Sequence, residues 1–374
     1  MSQLLARLKR GLDRSVDPLE RAELSAQIAG NLARLGRFDE ARKVVGVVRE
    51  QFGQGQSGRV TVWLMLAEGL IHHFENLSPV ALERVRAAQV LGLAMGYSTI
   101  VALASAWKAH IEFERSDFES MVLSVDLARK NVGADEHDAQ ARLAIVLSNA
   151  FMIAGDRDQA QLWFMHGHQH AVINGDQASI DALVYNRAAF LLARFRTLNC
   201  MAPISMEELV SVRMEVASAK NLQNLIRLAA LQSHVHLLDA RLQILESKFD
   251  SAISALRVVR EGTPFAPHNF DQKFIELEVC FCQLMLGQQH EALLHFPSLS
   301  ESEFADLDID ERVVAAWMLW KMAAIDARVG SVGDYWSQFE ALWSKYREMC
   351  DSLARRLLPF HWANCPPSFR IPLS

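Results

Sequence analysis

Apolar and polar residues near the start of the chain follow a helical period. A turn at residues 37–40 comes directly after Gly36, and a small residue, Ala29, lies seven positions before that glycine. The apolar positions after the turn are Ala41, Val44, Val45 and Val48. Their i, i+3, i+4 and i+7 spacing places these side chains on one face of a helix. The segment therefore predicts two helices joined by a short turn.

The same turn recurs along the chain with a period of about 40 residues. In each recurrence, a turn residue is followed five positions later by a small or flexible residue. The pairs are Gly36/Ala41, Asn76/Ala81, Ser116/Met121, Gly155/Ala160, Ser247/Ala252, Gly287/Ala292 and Gly330/Tyr335. A further turn is expected at position 196. Since a pair of amphipathic helices cannot bury its apolar faces alone, such a period predicts stacked pairs that share one continuous core.

A second regularity supports this repeat. Twelve positions before each landmark of the second helix, the residue is small, as close crossing of two helices requires. These residues are Ala29, Gly69, Ala109, Ser148, Ala189, Ala240, Cys280 and Ala323. The sequence predicts an all-α protein, a right-handed α-solenoid of about eight antiparallel helix pairs.

The repeat resembles the tetratricopeptide repeat family over about residues 18–345. The resemblance is carried by Ala29/Gly36/Phe38/Ala41, Gly155/Ala160 and Phe249/Ala252. The longer period is similar to the helix pairs in sensor regions of bacterial signalling proteins and MalT-like transcription activators. The chain departs from the family pattern in one clear respect: the consensus proline that closes each unit is absent. The resemblance implies that the first helix of each pair lines a concave face and that this face binds a partner.

The ends of the array have their own signals. Residues 1–17 are predicted to form a leading helix and cap, because Asp17-Pro18 is a typical helix start. The array spans residues 18–345, with a loop insertion at 197–205 followed by a restart at Ser205. A second loop, with aromatic residues, is expected at 262–270.

The last helix of the chain carries a different pattern. Its apolar seam is Trp336, Phe339, Trp343, Tyr346, Cys350, Leu353 and Leu357. The three-and-four spacing of this seam favours a long capping helix on the last repeat, with dimerisation and a helix leading to an output domain as alternatives. Residues 346–374 are the end of that helix and a proline-containing tail.

Composition narrows the function. The chain has 44 acidic and 38 basic residues, a formal charge of −6, so nucleic acid is not expected as a partner. The N-terminus predicts neither a signal peptide nor a membrane span, which favours the cytoplasm and no membrane partner. Five cysteines without CxxC spacing are typical of reduced, buried thiols.

No catalytic motif is found, and no cofactor or metal is predicted. The most suggestive cluster is His166, His168 and His170, but on a helix only the first and last of these are neighbours. No HExxH motif, glycine-rich phosphate loop or nucleophile elbow accompanies them. The sequence therefore predicts a protein that is not an enzyme, with an enzyme on a helical solenoid as a distant third possibility.

Repeat phase selects candidates for the partner-binding face. They are Asn149, Asn186, Arg194, His110, His73, Trp63, His234, Arg241 and Trp317. Asn149 and Asn186 are favoured because buried amides can hydrogen-bond a peptide backbone. The first hypothesis is a protein-protein interaction module for a peptide or partner protein. The alternative is a sensory or regulatory region of a bacterial signalling or transcription-control system. Oligomeric state is left open.

Overall fold

The structure, a computed structural model, describes residues 2–52, 57–226, 229–261, 272–296 and 304–365. Over these residues the chain is all-helical, without strands, and its helices pack in neighbouring pairs. Seventeen α-helices lie in these ranges: α1 (Gln3–Arg14), α2 (Pro18–Arg34), α3 (Phe38–Phe52), α4 (Gly58–Asn76), α5 (Pro79–Ala94), α6 (Ser98–Glu114), α7 (Phe118–Asn131), α8 (His137–Ala154), α9 (Arg157–Asn174), α10 (Gln177–Asn199), α11 (Met206–Ile226), α12 (Ala229–Leu245), α13 (Phe249–Glu261), α14 (Gln272–Met285), α15 (Gln289–His295), α16 (Ile309–Ile325) and α17 (Val332–Leu357). Within that part of the chain, no helix combines enough length with enough apolar character to cross a bilayer.

The recurrent turns have a common backbone conformation. Six of the seven landmark turn residues have a positive φ; the exception, Asn76, is followed by Leu77 with φ 50°. Glycine adopts this left-handed conformation without steric cost, which explains its presence at several of these turns. The predicted positions of these helix pairs are therefore confirmed.

The predicted small residues occupy tightly packed positions. Seven of the eight are buried, and Ala189 is half-buried. At Gly69, on α4, an added Cβ would lie 2.6 Å from Cγ2 of Val85 and 3.2 Å from the carbonyl oxygen of Ala81, both on α5. Ser148 donates a hydrogen bond to the carbonyl of Ala160 at 3.0 Å. These positions allow the two helices of a pair to approach closely.

Local capping explains two predicted helix starts. The Asp17 carboxylate accepts a hydrogen bond from the Leu19 amide at 3.0 Å, with Pro18 at the first helical position. At the start of α11, the amide of Ser205 donates to the Glu208 carboxylate at 2.8 Å, and the Glu208 amide donates to the Ser205 hydroxyl at 3.2 Å. This reciprocal pair is a capping box, as the sequence predicts.

Two loop predictions have different outcomes. The turn expected at position 196 is wrong, because α10 continues through Arg196 to Asn199. The break before α11 is therefore confined to residues 200–205, whereas the predicted insertion was 197–205. Arg196 is 7% exposed and forms an ion pair with Glu278, and this buried contact favours continued helix. The predicted loop at 262–270 lies outside the described residues.

The chain divides into two compact units. Unit 1 comprises Met1–Phe151, Asp156–Leu183 and Leu353–Ser374, and unit 2 comprises Met152–Gly155 and Val184–Ser352. The core of unit 1 is centred on α2, α4 and α6, with Leu4, Leu5 and Leu8 of α1 packed against it. In unit 2 the main core is formed by α12, α13, α14 and α16.

The apolar seam of α17 is largely buried. In unit 2, Phe339, Tyr346 and Cys350 pack with Val313 and Ala316 of α16. In unit 1, two 3-10 turns, Leu358–Phe360 and Trp362–Asn364, follow the end of this helix. There the indole of Trp163 donates to the carbonyl of Phe360 at 3.1 Å. The Trp362 amide donates to Gln159 at 2.7 Å. The last two residues of the seam, Leu353 and Leu357, are also fully buried.

All five cysteines are free thiols. Burial raises the pKa of Cys200 to about 12 and that of Cys280 to about 12. Since the thiolate is the reactive form, these two side chains are inert packing residues at neutral pH.

Candidate functional site

Unit 1 contains an open cavity, here called the chamber, of about 560 Å³. Its wall comes from α1, α2, α4, α6, α8 and the last residue of α9, so the first helices of successive pairs supply most of it. The lining residues are Arg7, Glu23, Gln27, Arg59, Trp63, Gly96, Tyr97, Ser98, Thr99, Ile100, Leu103, Asp135, Glu136, His137, Asp138, Ala139 and Asn174. This volume falls in the range of small-molecule pockets.

A smaller pocket of about 40 Å³ adjoins the chamber. The two spaces share Gln27, Trp63, Leu103 and Asp138. The remaining lining residues of the pocket are Ala26, Gly30, Asn31, Arg34, Leu66, Ala67, Leu70, Trp107, Arg142 and Ser179. The pocket therefore has an apolar wall with two arginines.

The beginning and the end of the unit 1 repeat are in direct contact. Arg34 of α2 forms an ion pair of 2.8 Å with Asp176, which precedes α10, and both side chains are buried. Arg34 also donates to the Ser179 hydroxyl at 2.9 Å. In α1, the Leu4 amide donates to the carbonyl of Gly175 at 3.0 Å. These contacts hold the start of α1 and the end of α2 against the turn between α9 and α10.

Arg142 is the exceptional cation of this region. It is 4% exposed, its guanidinium lies 3.7 Å from the centroid of the Trp107 ring, and its Nε has no hydrogen-bond partner among the described residues. Burial, with Arg34 nearby, lowers its pKa to about 9. The cation is held by an aromatic face, which compensates only part of the lost hydration.

Asp138 lies where chamber and pocket meet. Burial, together with the neighbouring Asp176, raises the pKa of the Asp138 carboxyl to about 6, although Arg34, Arg7 and Arg142 oppose this shift. Asn174 donates a hydrogen bond to its Oδ1. A carboxylate with a raised pKa in a cavity gains from a ligand that brings a positive charge.

Two histidines meet beside a glutamate at the ends of two first helices. The Nε2 atom of His73, on α4, is 3.5 Å from Oε2 of Glu114, and Nε2 of His110, on α6, is 3.2 Å from Oε1 of the same carboxylate. The two imidazoles are buried, whereas the Glu114 side chain is 40% exposed. Burial lowers the pKa of His73 to about 4, so this ring is neutral at pH 7. The arrangement could hold a cation.

The histidines of α9 are paired with other side chains. His166 and His170 are neighbours, with ring centroids 4.5 Å apart, as the helical geometry predicts. His166 contacts Gln140 at 3.0 Å, and Nδ1 of His170 lies 2.8 Å from Nδ1 of His137. His168 stacks on Phe164. Burial lowers the pKa of His166 to about 3, so this ring is a neutral packing residue at pH 7.

Unit 2 has a buried charge cluster of its own. Glu278, which is fully buried, pairs with Arg196 and with Arg241, the latter at 3.0 Å. Arg241 also pairs with Glu311 at 2.9 Å. Each of these two arginines therefore has a carboxylate partner. Arg241, which repeat phase selected as a partner-binding residue, is engaged in ion pairs within unit 2.

The other candidates selected by repeat phase are dispersed. Asn149 is 4% exposed and lines neither the chamber nor the pocket of unit 1. Within unit 2, Asn186 is half-buried on α10, and Arg194 donates to the carbonyl of Ile153 at 3.3 Å. His234 contacts Tyr185 edge-on, and Trp317 contacts Phe281. Of the nine candidates, Trp63 lines the chamber, and His73 and His110 come together.

Sequence reasoning missed Glu114, Asp138 and Arg142. The signal for Arg142 was present, because Ala139–Phe151 is a mostly apolar stretch of helix that contains this one charge. A charge within such a run indicates either a buried pair or a ligand contact. The partner cannot be read from the run, since Trp107 is distant in sequence. No protein-family model matches the chain, and no curated protein matches its sequence.

Proposed function

We propose that this chain is a non-catalytic binding protein, a tetratricopeptide-like right-handed solenoid whose unit 1 chamber takes a segment of a partner protein carrying a basic side chain. The observation that carries the proposal is the chamber with an aromatic ring, Trp63, and a carboxylate, Asp138, where it meets the smaller pocket. An aromatic face and a carboxylate together are the usual receptor for an ammonium or guanidinium group.

The charge of the chamber supports a cationic ligand. Its lining has four carboxylates, Glu23, Asp135, Glu136 and Asp138, against the guanidiniums of Arg7 and Arg59. Four minus two leaves two negative charges on these side chains, and Arg34 and Arg142, which line the adjoining pocket, offset part of this charge near Asp138. Arg59 is already engaged, since it pairs with Glu23 at 2.8 Å and lies over the Tyr97 ring at 5.4 Å. Field focusing in such a cavity favours cation entry.

A second function is favoured by the size of the chamber. A chamber of this volume, lined mostly by first helices, also suits a small cationic molecule, as in a sensory or regulatory module. The Arg34–Asp176 pair would then connect ligand occupancy to helix packing, because it joins α2 to the start of α10 beside the pocket. The two functions differ in the length of the ligand.

The test is a random heptapeptide display library panned on the immobilised full chain, followed by calorimetric titration of the enriched peptides. We expect Lys- or Arg-containing peptides to be enriched. Trp63→Ala and Asp138→Asn should each weaken their binding about tenfold, the loss of one hot-spot contact. Binding of a free diamine in place of peptides would support the sensory function.

The matched control is Trp317→Ala. This tryptophan has the same repeat phase but lies in unit 2, where it packs against Phe281. Peptide affinity should not change in this variant. Enrichment of acidic peptides, or a loss in Trp317→Ala equal to that in Trp63→Ala, would remove the chamber assignment.

A further inference from the structure

We infer that His73, His110 and Glu114 form a binding site for a divalent transition-metal ion, with Zn²⁺ as the best match. One ligand atom from each of the three side chains lies within 4.8 Å of the other two. Two imidazoles and a carboxylate are ligands that Zn²⁺ and neighbouring first-row ions accept, whereas Ca²⁺ and Mg²⁺ prefer oxygen alone.

The interatomic distances fit an ion. In a tetrahedral site with bonds of about 2.0–2.1 Å, ligand atoms are about 3.3–3.4 Å apart. The two histidine-to-carboxylate distances are 3.5 and 3.2 Å, and they involve different oxygens of Glu114. Both imidazole Nε2 atoms therefore already face the carboxylate at the separation that a shared ion imposes.

The positions of the ligands on their helices favour a cation. His110 and Glu114 are four residues apart on α6, which places them on one helix face. His73 lies in the last turn of α4, and Glu114 is the last residue of α6. Both helices thus direct their C-terminal ends, which carry partial negative charge, toward the site.

Packing holds the two rings in orientation. The His73 ring is 4.8 Å from Phe74 and 5.5 Å from His110, each edge-on. The His110 ring is 5.5 Å from Trp107, also edge-on. The side chains of His73 and His110 are 4% and 9% exposed, against 40% for Glu114. The site is therefore pre-organised on its protein side and open on its carboxylate side, where water or a ligand group can complete the coordination.

Two features limit the affinity. Nδ1 of His110 is buried without a hydrogen-bond partner among the described residues, so no outer contact raises the basicity of this ring. The Arg142 guanidinium, on the Trp107 face, repels a second cation. We therefore expect micromolar binding of one ion per chain, weaker than in a closed structural zinc site.

The experiment is a calorimetric titration of the chelator-treated full chain with ZnCl₂, with CoCl₂ as a spectroscopic probe. We expect one site and cobalt d–d bands of a nitrogen- and oxygen-ligated ion. Glu114→Ala and His110→Phe should each weaken binding at least about tenfold. Glu114 is exposed enough for its removal to leave the fold intact, and phenylalanine keeps the ring packing of His110.

Two controls keep the assignment falsifiable. His72→Ala removes the adjacent histidine of α4 and should not change Zn²⁺ affinity. His137→Ala removes the histidine pair that His137 forms with His170 and should likewise leave Zn²⁺ affinity unchanged. Absence of stoichiometric binding, or a loss that follows His137→Ala and spares Glu114→Ala, would overturn the proposal. Circular dichroism melts of each variant separate loss of ligation from loss of fold.

Discussion

The guanidinium of Arg142 lies 3.7 Å from the centroid of the Trp107 ring, whereas Arg34, 5.6 Å from the same ring, pairs with the Asp176 carboxylate. Two arginines of unit 1 thus share one aromatic side chain, but among the described residues only Arg34 has an anionic partner in ion-pair contact. We therefore expect the removal of Arg142 and the removal of Arg34 to change the stability of the protein in opposite directions.

Replacing Arg142 with methionine should stabilise the protein. Burial lowers the pKa of Arg142 to about 9, so the folded state disfavours the cation at every pH below that value, and this cost disappears only as the pH rises from 9 toward 12.5. We expect Arg142→Met to gain about 1 kcal/mol at pH 7 in urea unfolding. Arg34→Met should instead lose about 3 kcal/mol, since it leaves Asp176 buried and unpaired. Destabilisation of both variants to the same extent would contradict the distinction.

Asp138→Asn should weaken ligand binding and make the folded protein more stable at pH 7. Because the folded-state pKa is raised to about 6, the proton is held more tightly in the folded state. The contribution of Asp138 to the free energy of unfolding is therefore fully present below pH 4, where the carboxyl is protonated in both states. It is lost as the pH rises through about 6, because the folded state disfavours the ionised carboxylate. We expect the variant to be about 1 kcal/mol more stable than the parent at pH 7 and equal at pH 4, after discounting for partial exposure. Thermal melts at both pH values measure this, and a pH-independent difference would contradict it.

Two glycines inside helices should respond in opposite directions to alanine. At Gly69 the added methyl group would lie 2.6 Å from Val85, so we expect a loss of about 2 kcal/mol through strain. At Gly46, in the middle of α3, no atom lies within 4 Å of the added Cβ. There the higher helix propensity of alanine should stabilise by about 0.5–1 kcal/mol. Urea denaturation of both variants tests the helix crossing, and stabilisation by Gly69→Ala would mean that α4 and α5 are farther apart.

Removal of Glu278 should strongly destabilise unit 2. Burial lowers the pKa of Arg196, while Glu278 and Glu311 overcome the same effect at Arg241 and raise its pKa above the ordinary value. Glu278→Gln leaves two buried guanidiniums with one carboxylate, so we expect a loss of about 3–5 kcal/mol.

The control for Glu278 is the exposed pair of Arg42 and Glu75 in unit 1. Their side chains are 47% and 33% exposed. Glu75→Gln should therefore cost less than about 1 kcal/mol. Hydrogen exchange of α10 and α14 would locate the effect of Glu278→Gln, and comparable losses in the two variants would argue against a buried role for Glu278.

Local signals were enough to predict the turns within seven helix pairs and two helix starts. The turn at Gly36 and the Asp17-Pro18 start both depend on residues adjacent in sequence, and both were confirmed. The turn expected at position 196 failed because its outcome depends on a distant contact. Arg196 is ion-paired with Glu278, 82 residues away, and helix continues through it.

The candidate sites likewise combine residues that local patterns select with contacts that only the structure shows. Repeat phase selected His73 and His110 singly, from their places on first helices, and the structure brings both against Glu114. Nothing in the spacing of residues 73 and 110 shows that two imidazoles will face one carboxylate. Phase also selected Asn149, which is buried and lines neither cavity of unit 1.

By itself, the sequence determined the helical character of this protein, the pairing of its helices and the small residues at their crossings. These follow from periodicity and turn chemistry, which act over a few residues. Only the tertiary structure decided that Arg34 reaches Asp176, that Trp107 faces Arg142 and that a chamber lies between the first helices. The physical reason is that these contacts join residues far apart in the sequence, and a pattern that acts over a few residues does not specify which distant side chains meet.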